Sequence, residues 1–471
     1  MAVERSTSGP ELLLTLDRGS TTPLRGQVEA QLRDAIRTGR LTEGERVPSS
    51  RALATYLGLS RGVIQECYAQ LQAEGYLVSR GGSVTRVAAV SVDPRPPPVR
   101  AEPPPRQRLV ADFESGVPDL GLVPRQDWAW AVREACRVAP NSALHYGDPR
   151  GEPALRDVLA GYLRRVRAAD VHADQVVVCA GFQQGLTIVL RTLARRGLTR
   201  VACEDPGSIG TIAGIVSAAG GETVTVPVDD LGVDVGALAA SGARVVVLTP
   251  AHQWPTGVVL AADRRHQLIA WAREHDGIIV EDDYDSEFRY DRDPVGSMQG
   301  LAPDRVVTLG TVSKSLAPAL RLGWAVVPGG LVDDVADAKR VADRSTPGID
   351  QLALAALIES GRFDRHLRRM RAEYSARRDA LVDALAEHAP RVRVTGLAAG
   401  FHAVAHLPDG ADEADVVDRA RALGVGVYGM GTYRATNSTG PPCLVLGFGN
   451  IGARAIREGI HAIAGLLNDP V

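Results

Sequence analysis

The sequence is poor in lysine. Of the 53 basic residues in the 471-residue chain, only Lys314 and Lys339 are lysines. Arginine serves equally well as a surface cation, but its guanidinium does not give up a proton, whereas a lysine amine can form an imine. We therefore expect Lys314, in LGTVSKSLAPALRLGW, to be chemically active. Lys339, in the polar run ADAKRVADR, is expected to lie on a solvated helix face.

Cysteine pairs and long apolar runs are also absent. The five cysteines are Cys67, Cys136, Cys179, Cys203 and Cys443. They are scattered and form no C-x-x-C pair, which argues against disulfides and zinc and predicts buried, reduced thiols. No signal-like start and no apolar run of about 18 residues is present, so we expect a cytoplasmic chain without a membrane span. The net charge of -3 gives no overall electrostatic argument for binding nucleic acid.

Two histidines have a spacing that would suit a metal. His402 and His406 lie in GFHAVAHLP, which alternates like a β-strand. We interpret both as structural residues, and the remaining histidines show no metal-ligand spacing. No metal site is expected.

A proline-rich segment divides the chain. Residues 88–108 contain seven prolines and no apolar periodicity, as is typical of a semi-rigid, solvated linker. The segment separates an N-terminal domain, 1–87, from a larger domain, 109–471. The larger domain is expected to end in a smaller lobe from about residue 350.

The N-terminal domain is predicted to be a winged helix-turn-helix. Its apolar residues recur at helical spacing in three segments, which end near Gly39, Gly58 and Gly75. The run YLVSRGGSVTRV then alternates like two short strands around a glycine turn. Three helices followed by a hairpin are typical of this fold, an α+β domain.

Val/Ile/Leu runs alternate with helical patterns in the second domain. Examples of the runs are QVVVCAG, ARVVVLTP, IIVEDDYDSEF and RVVTLGTVSKS. Continuous apolar strands separated by helices predict an α/β fold with a mainly parallel sheet buried on both faces. Beyond about Asp350, helices followed by RVRVTG, GFHAVAHLP and LVLGFG predict a smaller α+β lobe.

The third predicted helix of the N-terminal domain has the composition of a recognition helix. Its first turn contains Ser60, Arg61, Gly62, Val63 and Gln65. A helix-turn-helix reads bases from this part of its second helix, and the forked guanidinium of Arg61 matches the two acceptors of guanine. Arg51 is expected to bind a phosphate, and Arg80 to carry the glycine wing into the minor groove. Exposed arginines without DNA contacts remain the alternative.

Acidic and aromatic residues follow the apolar run in IIVEDDYDSEF. Ligands of open α/β sheets bind at the carboxyl ends of strands, and a buried carboxylate there needs a positive partner. The protonated ring of pyridoxal phosphate supplies one. We therefore predict that Asp282 holds the ring nitrogen, Tyr284 the ring hydroxyl and Lys314 the aldehyde.

A phosphate site is predicted at the strand-to-helix turn CAGFQQGL. Backbone amides and the helix dipole converge on an anion at such a turn. The predicted phosphate residues are Gly181, Phe182, Gln183, Thr311 and Arg321.

Longer motifs in the first domain resemble a known family. The spacing of P-S-S-R, L-G-x-S-R and A-E-G-Y-L within residues 23–83 resembles the winged-helix domain of GntR-type regulators. The resemblance implies contacts with a double-stranded DNA operator at Arg51, Ser60, Arg61, Val63, Gln65 and Gly82. Gly62-Val63 departs from the family, which usually places a hydroxyl residue there, so contacts at this point are expected to be weaker or apolar.

The remainder resembles fold-type I aminotransferases, in the two-domain arrangement of the MocR/GabR subfamily. HYGDPRGEPALR, EDPG, TPAHQWPTG, EDDYDSEFRY and GTVSKSLAPALRLGW carry the resemblance. It implies an internal aldimine of pyridoxal 5'-phosphate on Lys314 and a phosphate contact at Ser313. It also implies that Tyr146 reaches the partner subunit's cofactor in a head-to-tail homodimer, and that Pro255 and Gly257 shape the turn beside the ring.

Two departures bear on the effector. Ser208 follows EDPG where the family often has tyrosine with an arginine two residues on, and Val445 stands where arginine is common. Both carboxylate-binding arginines are therefore missing, unless Arg434 substitutes. The leading hypothesis is a transcription regulator that senses pyridoxal phosphate, controlling vitamin B6 synthesis or an amine pathway. The alternatives are a regulator that forms an external aldimine with an amino acid or amine, and a transaminase with residual turnover.

Overall fold

A computed structural model of the chain describes residues 14–79, 84–89, 109–290, 295–436 and 439–469. The chain divides into two compact units, Met1–Pro105 and Arg106–Val471. No helix in these described ranges is both long enough and apolar enough to span a membrane.

In the described part of the smaller unit there are three helices and a two-stranded antiparallel sheet. These are α1 (Leu24–Arg37), α2 (Ser50–Leu57), α3 (Arg61–Ala73), β1 (Leu77–Val78) and β2 (Arg86–Val87). Ser49 caps α2 by accepting a hydrogen bond from the Ala52 amide, and Ser60 caps α3 in the same way. Gly58 ends α2 in the left-handed conformation, with φ 63°. The predicted winged helix-turn-helix is confirmed.

The larger unit alternates strands and helices. Its helices are α4 (Arg125–Val138), α5 (Pro153–Arg167), α6 (Phe182–Arg195), α7 (Ile209–Ala218), α8 (Val235–Ala240), α9 (Ala262–Glu274), α10 (Val332–Asp343), α11 (Gly348–Glu359), α12 (Arg362–His388), α13 (Glu413–Ala422) and α14 (Ala453–Asn468). Its strands are β3 (Ala111–Asp112), β4 (Val176–Cys179), β5 (Arg200–Asp205), β6 (Glu222–Asp229), β7 (Gly232–Val233), β8 (Val245–Leu248), β9 (Ile278–Asp283), β10 (Val306–Thr311), β11 (Gly323–Val326), β12 (Arg393–Thr395), β13 (His402–His406), β14 (Val425–Gly426), β15 (Tyr428–Gly429) and β16 (Cys443–Gly447).

The described part of the larger unit is built on an eight-stranded sheet in the order β4-β11-β10-β9-β8-β5-β6-β7. Neighbouring strands from β10 to β6 are parallel, which confirms the predicted mainly parallel sheet. β11 was not anticipated, and it runs antiparallel to both β10 and β4. Since β4 and β10 therefore point the same way, the carboxyl ends of β4, β9 and β10 lie at one edge of the sheet.

A second, antiparallel sheet follows in the order β12-β13-β16-β15, as the predicted α+β lobe requires. β3, from the start of the unit, pairs with β14 beside this lobe. Helix α14 packs against α12 and β3, and its residues Ile456 and Ile460 are fully buried. The lobe is therefore tied to the N-terminal end of its own unit.

Two predictions about single residues are wrong. Lys339 is not solvated: its side chain is 0% exposed, and its amine donates to Asp343 Oδ1 at 2.6 Å. The run around it is polar because the other face of α10 is exposed, while Lys339 lies on the buried face with Val335 and Ala338. Cys136 is exposed, whereas the other four cysteines are buried as predicted.

The stability of the smaller unit should depend on the buried face of α3. Ile64 is 0% exposed in this unit's core, while its neighbour Gln65 is exposed. We expect Ile64→Ala to lower the unit's free energy of unfolding by about 2–5 kcal/mol, because it leaves a cavity. Amide hydrogen exchange in α1 to α3 of the full chain measures this loss. Gln65→Ala is the control, and equal protection in both variants would contradict the packing.

Candidate functional site

A cavity of about 330 Å³ opens at the shared carboxyl edge of β4, β9 and β10. It is lined by Gly116, Phe182, Gln183, Ser208, Trp254, Asp282, Tyr284, Thr311, Ser313, Lys314, Pro318 and Arg321. The structure thus brings together, in one cavity, the predicted cofactor residues from three separate strand ends. Of those predicted for the subunit's own cofactor, Gly181 alone does not line it directly.

Lys314 follows β10 and points its amine into the cavity. The amine donates a hydrogen bond to the carbonyl of Gly116, and the structure gives it no ion pair among the described residues. Burial lowers the pKa of Lys314, although the charges of Asp282 and Asp285 act in the opposite direction. A larger fraction of the amine is therefore neutral, as a nucleophile requires.

Asp282 lies near the end of β9, and its Oδ1 is a buried atom with no hydrogen-bond partner in the described structure. Burial, with the charges of Asp283 and Asp285, raises the pKa of Asp282 well above its usual value. Asp283, by contrast, is neutralised by Arg167 through contacts of 2.8 and 2.9 Å. Asp282 therefore still needs a proton or a cationic partner, which the ring nitrogen of pyridoxal phosphate would provide.

Tyr284 is held by the chain around His252. Its hydroxyl donates to the His252 carbonyl at 3.1 Å and lies 3.3 Å from His252 Nδ1. Burial raises the pKa of Tyr284 well above its ordinary value, so the phenol keeps its proton. The phenol lies in the same cavity as Lys314 and Asp282, and its single O–H would donate to a ring hydroxyl by exchanging the His252 carbonyl for that partner.

The other end of the cavity has the features of an anion site. Gly181 precedes α6 with φ 82°, a conformation that favours glycine, and an added Cβ would meet Arg321 Nη1 at 3.1 Å. Arg321 donates to the Ala180 carbonyl at 2.6 Å, and Thr311 Oγ1 bonds Ser313 Oγ at 2.9 Å. Helix amides, a guanidinium and two hydroxyls therefore face one space, which suits a phosphate.

The sequence interpretation missed three of the lining residues, Gly116, Trp254 and Pro318, and named Ser208 only as a departure from the family. Trp254 precedes the cis Trp254-Pro255 bond, and its amide donates to Thr249 Oγ1 at 2.9 Å. Thr249 in turn donates to the buried carboxyl of Glu204, whose pKa burial raises to about 7. The W-P pair within TPAHQWPTG was the available signal for Trp254, since the turn was already assigned to the ring.

Other predicted residues lie outside the cavity. Tyr146 is 63% exposed, and the guanidinium of Arg344 stacks 4.9 Å from its ring centre. Arg434 donates to the Pro441 carbonyl and does not line the cavity. Val445 is buried in β16 opposite Val404. The described residues therefore give no support to Arg434 as a replacement for the missing arginines.

His402 belongs to a buried cluster that the sequence spacing did not reveal. Ligand atoms of His252, Asp285 and His402 all lie within 4.8 Å of one another. His252 Nδ1 contacts Asp285 Oδ2 at 2.8 Å, and the two histidine rings pack 4.6 Å apart. Burial lowers the pKa of His402 well below its usual value, so this ring is neutral. The hydrogen bond and the ring packing account for the cluster as part of the core that supports Tyr284. His406, in the same strand, bonds Thr395.

Most of the predicted DNA-binding residues, on α2 and on the recognition helix α3, are exposed to solvent. Arg51, Ser60, Arg61 and Gln65 are exposed, while Val63 packs partly against the unit's core. Within the described residues, neither Arg51 nor Arg61 has an ion pair, although the guanidiniums of Arg25, Arg33 and Arg40 are each paired with an acid. Arg80 and Gly82, predicted for the wing, lie outside the described residues.

Known proteins resemble both units. Residues 24–87 match the family of bacterial regulatory proteins called gntR, and residues 110–423 match aminotransferase class I and II. The HTH-type pyridoxine biosynthesis transcriptional regulator PdxR of Corynebacterium glutamicum is 34% identical over 84% of this chain and 85% of its own. The probable rhizopine catabolism regulatory protein MocR of Rhizobium meliloti is 34% identical over 96% and 95%.

The chain belongs to the MocR-type GntR regulators. A solved structure of Pyrococcus horikoshii kynurenine aminotransferase, in complex with PMP, resembles the larger unit of this MocR-type regulator. It matches with TM-score 0.69 and 27% identity, covering 77% of this chain and 91% of that one. The predicted combination of a winged helix-turn-helix and a fold-type I aminotransferase domain is confirmed. The helix-turn-helix of this family makes the regulator a DNA-binding protein.

Lys314 of the regulator should react as a neutral amine at unusually low pH. A lowered pKa means that the reactive, deprotonated form is populated at lower pH than in an ordinary lysine. We expect trace acetylation of Lys314 in the folded apoprotein to reach half its maximum below the pH found for the same residue in urea. Mass spectrometry follows this peptide separately from that of Lys339. The same midpoint in both states would contradict the desolvated amine.

The recognition helix gives a second prediction. We expect Arg61→Ala to weaken specific operator binding by about 1–3 kcal/mol and to relax sequence preference, because a bidentate base contact is lost. Arg51→Ala should weaken binding to all sequences and reduce the salt dependence, as loss of a phosphate contact does. Fluorescence anisotropy at several salt concentrations measures both effects. Arg40→Ala, in an exposed ion pair of the same unit, is the control. If Arg61→Ala and Arg51→Ala bind the operator as tightly as Arg40→Ala does, the assignment of DNA contacts is wrong.

Proposed function

We propose that this regulator binds pyridoxal 5'-phosphate covalently through Lys314 and controls a DNA operator according to the occupancy of that site. Asp282 would hold the ring nitrogen, and Tyr284 would donate to the ring hydroxyl. The amides of Gly181, Phe182 and Gln183 would hold the phosphate with Thr311, Ser313 and Arg321. When bound, the cofactor supplies an electrophilic aldehyde and a ring that stabilises negative charge.

The observation that carries the proposal is the meeting of Lys314 with Asp282 and Tyr284 in a single cavity. The amine is buried and shifted towards its neutral form, while the carboxyl has an oxygen without a partner. A molecule with an aldehyde and a basic ring nitrogen would react with the amine and pair with the carboxyl group. The hydroxyls and the guanidinium at the far end of the cavity match the phosphate of the same molecule.

The charges of the cavity bear on the effector. Its charged lining residues, among those described, are Asp282, Lys314 and Arg321. Since two of them are assigned to the ring and the aldehyde and Arg321 to the phosphate, no lining cation is left for an amino-acid carboxylate. We therefore infer that the signal is pyridoxal phosphate itself or an amine without a carboxylate. The name of the pyridoxine biosynthesis regulator among the relatives supports control of vitamin B6 synthesis.

The proposal includes a head-to-tail homodimer. Tyr146, which the family resemblance assigns to the partner's cofactor, is exposed and lines no part of its own subunit's cavity. An exposed aromatic side chain stacked by Arg344 is suited to contact a second copy. The dimer would present two recognition helices to a symmetric operator.

The test combines spectroscopy with operator binding. Adding pyridoxal phosphate to the full-length apoprotein should produce a visible absorption band of bound cofactor and change operator affinity by about 5- to 150-fold, the usual range of allosteric coupling. Lys314→Ala should abolish both effects because the covalent link is lost. Operator affinity of the apoprotein itself should stay unchanged in this variant, which controls for folding of the DNA-binding unit.

Candidate effectors are then added to the cofactor-loaded protein. If the signal is an amine, amines without a carboxylate should alter the absorption band and the operator affinity. If the signal is pyridoxal phosphate itself, none of the added candidates should alter either. A response confined to α-amino acids would instead favour the amino-acid regulator. If the wild-type protein binds the operator with the same affinity in the presence and absence of pyridoxal phosphate, sensing of the cofactor is refuted.

A further inference from the structure

The second lysine is buried close to the phosphate end of the cavity. Lys339, on α10, is 0% exposed and bonds Asp343 Oδ1 at 2.6 Å. Its charge also acts on Cys179, the last residue of β4, and opposes the burial that raises the pKa of this thiol to about 12. Burying an ammonium carries a large desolvation free energy. The presence of a lysine at this position therefore needs a reason other than solubility.

Asp343 connects Lys339 by hydrogen bonds to the turn between β4 and α6. Its other oxygen, Oδ2, accepts a hydrogen bond from Gln184 Nε2 at 2.7 Å. Gln184 Oε1 in turn accepts one from the amide of Ala180, also at 2.7 Å. Lys339, Asp343 and Gln184 therefore form a continuous chain of hydrogen bonds that ends on the backbone of Ala180. We call these three residues the Lys339 chain.

Ala180 is fixed on both sides. Its amide is held by the Lys339 chain, while its carbonyl accepts from Arg321, at 2.6 Å. The next residue is Gly181, whose φ of 82° turns the chain into α6. The orientation of the Ala180-Gly181 peptide therefore decides where the first amides of α6 point, and with them the direction of the anion site.

Lysine has a specific advantage in this position. Its ammonium is compact and donates to a single carboxylate oxygen, which leaves Asp343 Oδ2 free for Gln184. A guanidinium is a planar fork that tends to bind both oxygens of a carboxylate. An arginine here would compete with Gln184 for Asp343. This gives a physical reason for a second lysine in a chain that uses arginine almost everywhere else.

We propose that Lys339 is a positioning residue for the phosphate cradle, acting through Asp343 and Gln184 on the peptide that precedes α6. This inference rests on the proposed function, since it concerns how the same site holds its cofactor. Lys339 touches no ligand, so its effect falls on binding of the phosphate group and not on the link to Lys314.

The experiment compares two ligands that differ in the phosphate alone. Dissociation constants of pyridoxal 5'-phosphate and of pyridoxal are measured on full-length apoprotein by absorbance titration. Lys339→Met should weaken binding of the phosphorylated ligand by about tenfold and that of pyridoxal by less than about twofold, because a charge-assisted chain to the phosphate amides is lost. Arg340→Met, next along α10 in an exposed pair with Asp337, is the matched control and should leave both constants unchanged.

A second variant guards against misfolding. Lys339→Met with Asp343→Ala removes both members of the ion pair, so neither charge is left unpaired, and it should show the same selective loss. An equal loss for both ligands, or an unchanged preference for the phosphate in both variants, would overturn the role of Lys339. Failure of the wild-type protein to prefer the phosphorylated ligand would instead count against the proposed phosphate site itself.

Discussion

The site depends on the burial of one amine and one carboxyl group beside each other. Removal from water disfavours the charged form of each, so burial lowers the pKa of Lys314 and raises that of Asp282. Their mutual attraction acts in the opposite direction, but the fold provides neither group with a dedicated counter-ion in the described structure. The result is a nucleophilic amine and an unsatisfied carboxyl group within one small cavity. Such a pair is costly for a folded protein unless a ligand completes it, which is why this region calls for a functional explanation.

Sheet topology is what makes this pairing possible. Asp282 lies near the carboxyl end of β9 and Lys314 follows the adjacent parallel strand β10, so both residues lie at the same edge of the sheet. The antiparallel β11 separates β10 from β4 without reversing β4 relative to β10, and this adds the Gly181 turn to the same edge. β11 also has a packing requirement, because a Cβ on Gly310 would lie 2.4 Å from the ring of Trp324. The anion end of the cavity and its reactive end are therefore both consequences of strand order.

The sequence predicts those parts of the structure that depend on local pattern. Buried strands appear as runs of Val and Ile, and residues that follow such strands, including Asp282 and Lys314, could be placed at the sheet edge before the structure was known. Long-range packing is not accessible in this way. The Gly116 carbonyl reaches Lys314 from a segment far away in the chain, and His402 contacts His252 through the packing of β13, from the smaller lobe. Lys339 was misjudged because the exposed face of α10 dominates the composition of its surroundings, which hides the burial of a single position.

The residues of the cavity suit binding of a cofactor better than catalytic turnover with it. Apart from Gly181, the residues that would hold the ring, the aldehyde and the phosphate line the cavity, whereas Gly210 and Val445 stand where the family resemblance expects arginines that bind a substrate's carboxylate. Transamination needs the substrate held in a defined orientation for proton transfer, since misplacement of the reacting atoms sharply reduces the rate. Occupancy needs no such anchor. A cavity that has the cofactor-holding groups and lacks the carboxylate-binding groups is suited to sense whether its ligand is bound. The DNA-binding unit of the same chain can then convert that binding into a change at an operator.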